Sequence, residues 1–176
     1  MTVVIYFSKH SPQMLKKRTN PKFTEKWDKI VIAFISIGFV PIFFTPGIEY
    51  RFGLIIILPL VELIGFIVMS LGFIIIFLTM KENAFLSKAV EIQEGHEVIT
   101  TGPYGIVRHP MYMGFILYMF GYCIALGSLF SLIFAVIGIV GLIARTVLED
   151  KMLHEELRGY TENAQKTRKK LIPGIW

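Results

Sequence analysis

The chain has 176 residues, 54% of them hydrophobic and only 18% charged, with a formal net charge of +5 and a mean hydropathy of +0.62. A composition this apolar excludes an ordinary water-soluble domain, and the length suits a single domain. The positive charge flanks apolar segments, so anionic lipid headgroups, and not nucleic acid, are its expected partners.

Residues 1–7 are apolar but very short. No basic region precedes them, and Lys9 stands where a small-residue cleavage site would be, so no cleavable signal is expected. They read as an interfacial segment or the remnant of a helix. Residues 9–29 form a basic, polar lead-in, making 1–29 a separate region ahead of a membrane domain over 30–176. Four apolar blocks follow, at about 30–45, 53–80, 112–126 and 129–144. A bilayer core of ~30 Å takes roughly 20 helical residues. The second block exceeds that and should tilt or project, whereas the third and fourth are short. Only Gly127 and Ser128 separate the last two, which predicts a tight helical hairpin. Each block is apolar all round, as membrane helices are and striped soluble helices are not. Pro41 and Pro59 predict kinks in the first two blocks. Trp27, Tyr50 and Tyr104 flank them as interfacial aromatics do. Cys123, the single cysteine, sits in an apolar block and reads as packing.

The charges set an orientation. Lys9, Lys16, Lys17, Arg18, Lys22, Lys26 and Lys29 precede the first block, and Arg51 alone lies between the first and second. Lys81, Lys88 and Arg108 lie between the second and third. Arg145, Lys151, Arg158, Lys166, Arg168, Lys169 and Lys170 follow the fourth. With four spans, 17 of the 18 basic residues share one side. That side is expected to be cytoplasmic, with both termini on it. The run at 166–170 reads as an anchor on anionic lipid.

Two stretches on that side carry the chemistry. The first is GHEVITTGPYGIVRHPMYMG at 95–114. Val98, Ile99 and Thr100 have strand-like composition, and Thr101-Gly102-Pro103 is a turn signal. His109 precedes a proline, so it is the expected N-cap, with Pro110 the first helical residue. The helix start there would stabilise an anionic group. The second stretch is RTVLEDKMLHEE at 145–156, where the fourth helix continues out of the membrane. Arg145 and Glu149 are four apart and share a face, and the plain reading is a surface ion pair. The hairpin brings both stretches to one end, so His96, Tyr104, Arg108, His109, Tyr112, Arg145 and Glu149 are expected to converge. Glu62 is an acid inside the second block, a packing group or a tunnel residue. His10 and His154 lack carboxylate or cysteine partners at metal-ligand spacing, so no metal is expected.

The pattern of 95–114, a hairpin, and then RTVLEDKMLHEELRGY resembles the isoprenylcysteine carboxyl methyltransferase family and the related phospholipid N-methyltransferases. The resemblance covers roughly residues 53–176. It implies an all-α integral membrane protein of about four transmembrane helices, with a C-terminal hairpin and a cytoplasmic cofactor pocket built from 81–111 and 145–176. It implies S-adenosylmethionine as cofactor, contacted by His96, Glu97, Val98 and Ile99, by Tyr104, by His109, Pro110, Met111 and Tyr112, and by Glu149. Arg145 matches the substrate-side arginine. Asp150 stands where relatives often carry a second glutamate. The implied reaction is methyl transfer to a lipophilic acceptor entering from the bilayer. A carboxylate acceptor needs no general base and could be oriented by Arg145, whereas a lipid amine needs a proton acceptor, for which Glu149 and His109 are at hand. Sterol and steroid reductases using NADPH carry a similar hairpin with RHPNYxGE; here Met111 and Phe115 replace its asparagine and acid. A non-catalytic membrane scaffold is the third reading.

Overall fold

A computed structural model describes residues 2–12, 14, 16, 25–55 and 58–176. Lys17, Arg18 and Lys22, three of the basic residues counted ahead of the first span, lie outside the described residues. Within them the structure is helical, with no strand. The helices are α1 (Thr2–His10), α2 (Lys26–Ile42), α3 (Thr45–Arg51), α4 (Pro59–Glu82), α5 (Pro110–Ala125), α6 (Leu129–Glu156) and α7 (Tyr160–Lys166), with one 3₁₀ turn at Gly102–Gly105. Three stretches are long and apolar enough to cross a membrane: α2 with α3, α4, and α6. The fourth expected span, α5, is a shorter apolar helix of 16 residues, about 24 Å long.

Prolines mark the helix boundaries. Past Pro41, the amides of Phe43 and Phe44 bond back only three residues, to Val40 and Pro41, and the helix breaks into α2 and α3 as the kink predicted. Pro59 behaves differently from the expectation. Leu58 is extended and Pro59 opens α4, because its ring suits the first helical turn, where no N–H bond is lost. The second span therefore starts at Pro59 and not at residue 53. Glu62 lies within this span as read, in the first turn of α4, where a carboxylate complements the helix dipole. The predicted hairpin is present. Gly127 takes the left-handed φ of +58° that a side chain would resist, and the Ser128 hydroxyl caps α6 by accepting from the Ser131 amide.

Glycines set the helix pairs. On α4, Gly65 and Gly72 face Gly114 and Gly121 of α5. A Cβ on Gly65 would lie 2.3 Å from the Ala125 nitrogen, and one on Gly121 2.3 Å from the Met69 nitrogen. On α2, a Cβ on Gly38 would lie 2.2 Å from the Gly138 nitrogen of α6. Apolar association offers little drive within lipid, so backbones that approach this closely gain by dispersion contact. Between the pairs lies a core that includes Ile42, Tyr112, Met119, Cys123, Ala135 and Leu142. Cys123 is fully buried in it. The outer faces stay apolar, with Ile30 and Leu60 about 70% exposed, as a lipid-facing surface requires. At the N-terminus, Tyr6 and Phe7 of α1 pack on Phe77 of α4.

Two acids of the α2–α3 unit meet α6, one at its first turn and one at Arg145. At its start, Glu49 of α3 is buried. Its Oε1 accepts the Leu129 and Phe130 amides at 3.0 and 3.2 Å, and the Ser128 hydroxyl donates to the same carboxylate. The carboxylate thus meets amides that the helix itself cannot satisfy. Further along, where the apolar part of α6 gives way to its charged extension, Asp28 of α2 meets Arg145.

Candidate active site

The Arg145 end of the bundle opens into a cleft of about 830 Å³, counted out to its open mouth. Its first wall is the irregular segment from Asn83 to Thr101. Asn83 anchors that wall twice: its Nδ2 donates to the Tyr104 hydroxyl at 2.8 Å and its Oδ1 accepts the Phe85 amide at 2.8 Å. The Phe85 and His96 rings stack at 4.7 Å. His96, Glu97, Val98 and Ile99 all line the cleft. The strand suggested by Val98, Ile99 and Thr100 does not form, because the fold offers that segment no neighbouring strand to pair with. The turn that follows does form. Gly102 has φ +56°, and the 3₁₀ turn delivers Tyr104 to the cleft.

The second wall is the start of α5. His109 is the N-cap and Pro110 opens the helix, as the sequence predicts; Met111 and Tyr112 follow on the same wall. The Tyr112 hydroxyl donates to the Glu149 carboxylate of α6. The His109 and Tyr112 rings are nearly parallel at 5.9 Å, and His109 Nδ1 lies 3.9 Å from Glu149 Oε1. All the predicted site residues thus line one cleft, Arg145 and Glu149 included.

The expected Arg145–Glu149 pair is not made. Arg145 Nη2 lies 2.9 Å from Asp28 Oδ1 and donates to the Lys88 carbonyl at 2.6 Å. Asp28 Oδ2 accepts the Val90 amide at 2.8 Å. Its guanidinium also sits over the Tyr112 ring, 5.7 Å from the centroid. Arg145 is therefore no exposed helix-surface charge: it is buried and faces α2.

Behind the cleft, Asp150 is a hub. Arg108 grips it through Nε and Nη2, and Lys170 Nζ lies 3.1 Å from Oδ2. The Tyr160 hydroxyl donates to Oδ1 at 2.9 Å, with His109 Nε2 3.3 Å from the same oxygen. Burial would lower the Arg108 pKa, yet the bonds and charge of Asp150 hold it above the usual value. Burial, joined by the Asp150 charge, pushes the Tyr160 hydroxyl far up, so it stays protonated. The chain after α7 is tied to the same place. Arg108 and His109 donate their amides to the carbonyls of Lys169 and Lys170, both at 2.9 Å. Lys170 thus turns inward, away from the anchoring role read for its run.

Asp28, Asp150, Tyr160 and Lys170 went unread as site residues in the sequence. Asp150 stands one residue from Glu149, about 100° round the helix, and so serves the wall behind.

Comparison with known families places this geometry. The phospholipid methyltransferase family model matches residues 60–158, more than half of the chain. The match runs from the first turn of α4 to just past α6 and takes in every predicted site residue. Asp28, Tyr160 and Lys170 fall outside it. The search of curated proteins gives no match.

Proposed function

This chain belongs to the phospholipid methyltransferase family, and from that premise we propose that it transfers a methyl group from S-adenosylmethionine to a lipophilic acceptor held at the membrane surface. The observation that carries the reading is the convergence of Tyr104, His109, Tyr112, Arg145 and Glu149 on one cleft at the end of apolar helices. The basic residues around that end support a cytoplasmic opening.

The donor set suits the cofactor. Glu149 offers a carboxylate to a cation or to ribose hydroxyls. The 96–99 segment offers backbone groups and apolar side chains to a flat base, next to the Phe85–His96 stack. When bound, S-adenosylmethionine supplies an already activated methyl group, so the protein's task is chiefly alignment. Tyr112 fixes the rotamer of Glu149 by its hydroxyl bond. Arg145 presents a guanidinium edge to the acceptor's head. For an amine acceptor, Glu149 and His109 are the groups in reach to receive its proton; for a carboxylate none is needed. The acceptor's tail would remain in lipid between the helices, which explains why the site stands on a membrane bundle.

The test is equilibrium binding of labelled S-adenosylmethionine to purified protein, followed by transfer of the labelled methyl into lipid, peptide and small-molecule fractions. Binding that is lost in Glu149→Ala and Tyr104→Ala is expected. Absence of binding, or binding indifferent to both substitutions, overturns the reading.

A further inference from the structure

Resting on that reading, we infer that Asp28 sets the charge of the cleft: it holds Arg145 away from Glu149 and so keeps the Glu149 carboxylate for a positively charged ligand group. Asp28 belongs to α2, outside the residues that the family model matches.

The helix geometry makes the competition plain. Arg145 and Glu149 are four apart on α6, the spacing at which opposite charges pair along a helix. Both line the same cleft, yet they do not pair. The Arg145 guanidinium is instead held on the far side, its Nη2 in an ion pair 2.9 Å from Asp28 Oδ1 and donating to the Lys88 carbonyl at 2.6 Å. Asp28 is itself fixed, fully buried, with its second oxygen on the Val90 amide. The charge of Arg145 is therefore neutralised from behind, within the protein. Glu149 has no lysine or arginine within ion-pair distance among the described residues. Its neighbours are the Tyr112 hydroxyl and His109 Nδ1, the latter at 3.9 Å. Asp150, the next residue on α6, is engaged by Arg108 and Lys170 on the wall behind, and Glu91 and Glu97 line the cleft as further acids.

With Asp28 and Arg145 cancelling, Glu149 leaves the cleft with an uncompensated negative charge. An onium group is what such a cleft attracts. The groups at issue are the sulfonium of the methyl donor and the ammonium of a lipid acceptor; the donor's own α-ammonium is common to its demethylated product and drops out of a comparison between them. Asp28 touches neither and acts through Arg145, so it is a positioning residue.

The experiment compares S-adenosylmethionine with S-adenosylhomocysteine, which lacks the methyl group and the sulfonium charge but keeps the ammonium and carboxylate. Both affinities are measured by equilibrium binding to the full chain in lipid nanodiscs. The wild type is expected to prefer the charged ligand. In Asp28→Asn, Arg145 is released to pair with Glu149, and the preference should fall roughly tenfold, the order of one contact charge in a partly solvated site. In the double variant Asp28→Asn/Arg145→Gln the competitor is gone and the preference should return. Arg145→Gln alone, which serves even if Asp28→Asn fails to fold, should keep or raise it. A second arm measures binding of a phospholipid amine and its N-acetylated analogue. If the ammonium is the group seated at Glu149, the Asp28→Asn shift appears in that ratio instead. Failure of the wild type to bind either adenosyl ligand overturns the methyl-donor reading together with this inference. Good binding with neither ratio moved by Asp28→Asn, a preference lost in Arg145→Gln, or no return in the double variant overturns the inference alone.

Discussion

Arg108 holds Asp150 with two nitrogens of its guanidinium, Nε 2.8 Å from Oδ1 and Nη2 3.2 Å from Oδ2. Both side chains are about 95% buried. The remaining donor of Arg108, Nη1, bonds to the carbonyls of Thr167 and Arg168, each at 2.9 Å. One arginine thus joins the loop before α5, the outer end of α6 and the C-terminal segment.

Removing Asp150 leaves Arg108 buried without its anion. Asp150→Ala is expected to destabilise the fold by about 3–5 kcal/mol, the usual cost of stripping one partner from a buried pair. Thermal unfolding in detergent, with limited proteolysis of the segment after α7, reads this out. An unchanged midpoint and an unchanged cleavage pattern would show that the hub is dispensable.

Glu49 gives the corresponding prediction at the opposite end. Glu49→Ala leaves the Leu129 and Phe130 amides and the Ser128 hydroxyl without their buried acceptor. A loss of about 1–3 kcal/mol is expected, with ligand affinity at the distant cleft unaltered. Loss of ligand affinity without loss of stability would contradict the capping role.

The glycine contacts predict a contrast. Gly121→Val places a side chain 2.3 Å from the Met69 backbone and should force α4 and α5 apart, with a large drop in folded yield. Gly47→Ala meets nothing within 4 Å and should be neutral, or stabilising by about 0.5–1 kcal/mol in helix α3. Size-exclusion profiles and unfolding midpoints of the two variants decide it; equal behaviour would refute close helix approach at Gly121.

Tyr112→Phe tests the support of Glu149. The ring and its place beneath Arg145 remain, while the hydroxyl bond to the carboxylate is lost. Under the proposed function, donor affinity should fall by a factor of about 10, the value of one hydrogen bond to a charged group, with folding intact. Glu149→Gln should cost more. Isothermal titration of S-adenosylmethionine against both variants checks the order, and a reversed order would move the charge-bearing role away from Glu149.

Much of this architecture was legible in the sequence. Apolar blocks gave the helices, because membrane segments are read by hydropathy, and His109-Pro110 fixed the start of α5 to the residue. The cleft was legible because the loop before α5 and the outer part of α6 flank one hairpin, so local spacing implied convergence. What escaped were contacts between distant segments. Nothing near Asp28 marks it as the partner of Arg145, and nothing near Glu49 marks it as the cap of α6. Pro59 misled for a related reason: a run of apolar residues continues straight through it, and only backbone geometry distinguishes a helix start from a kink. The apolar residues Val98 and Ile99 of the strand-like stretch are half-buried on the cleft wall, with no ladder to join.

The two acids of the α2–α3 unit have a mechanical consequence. Asp28 grips α6 at Arg145 and Glu49 grips it at Ser128, so the α2–α3 unit is riveted to α6 near both of its own ends. The α4–α5 pair is fastened along its length by glycines. Two stiff planks result, joined by one short hairpin and a smaller shared face between α5 and α6. The seam between the planks is therefore the least fastened part of the bundle.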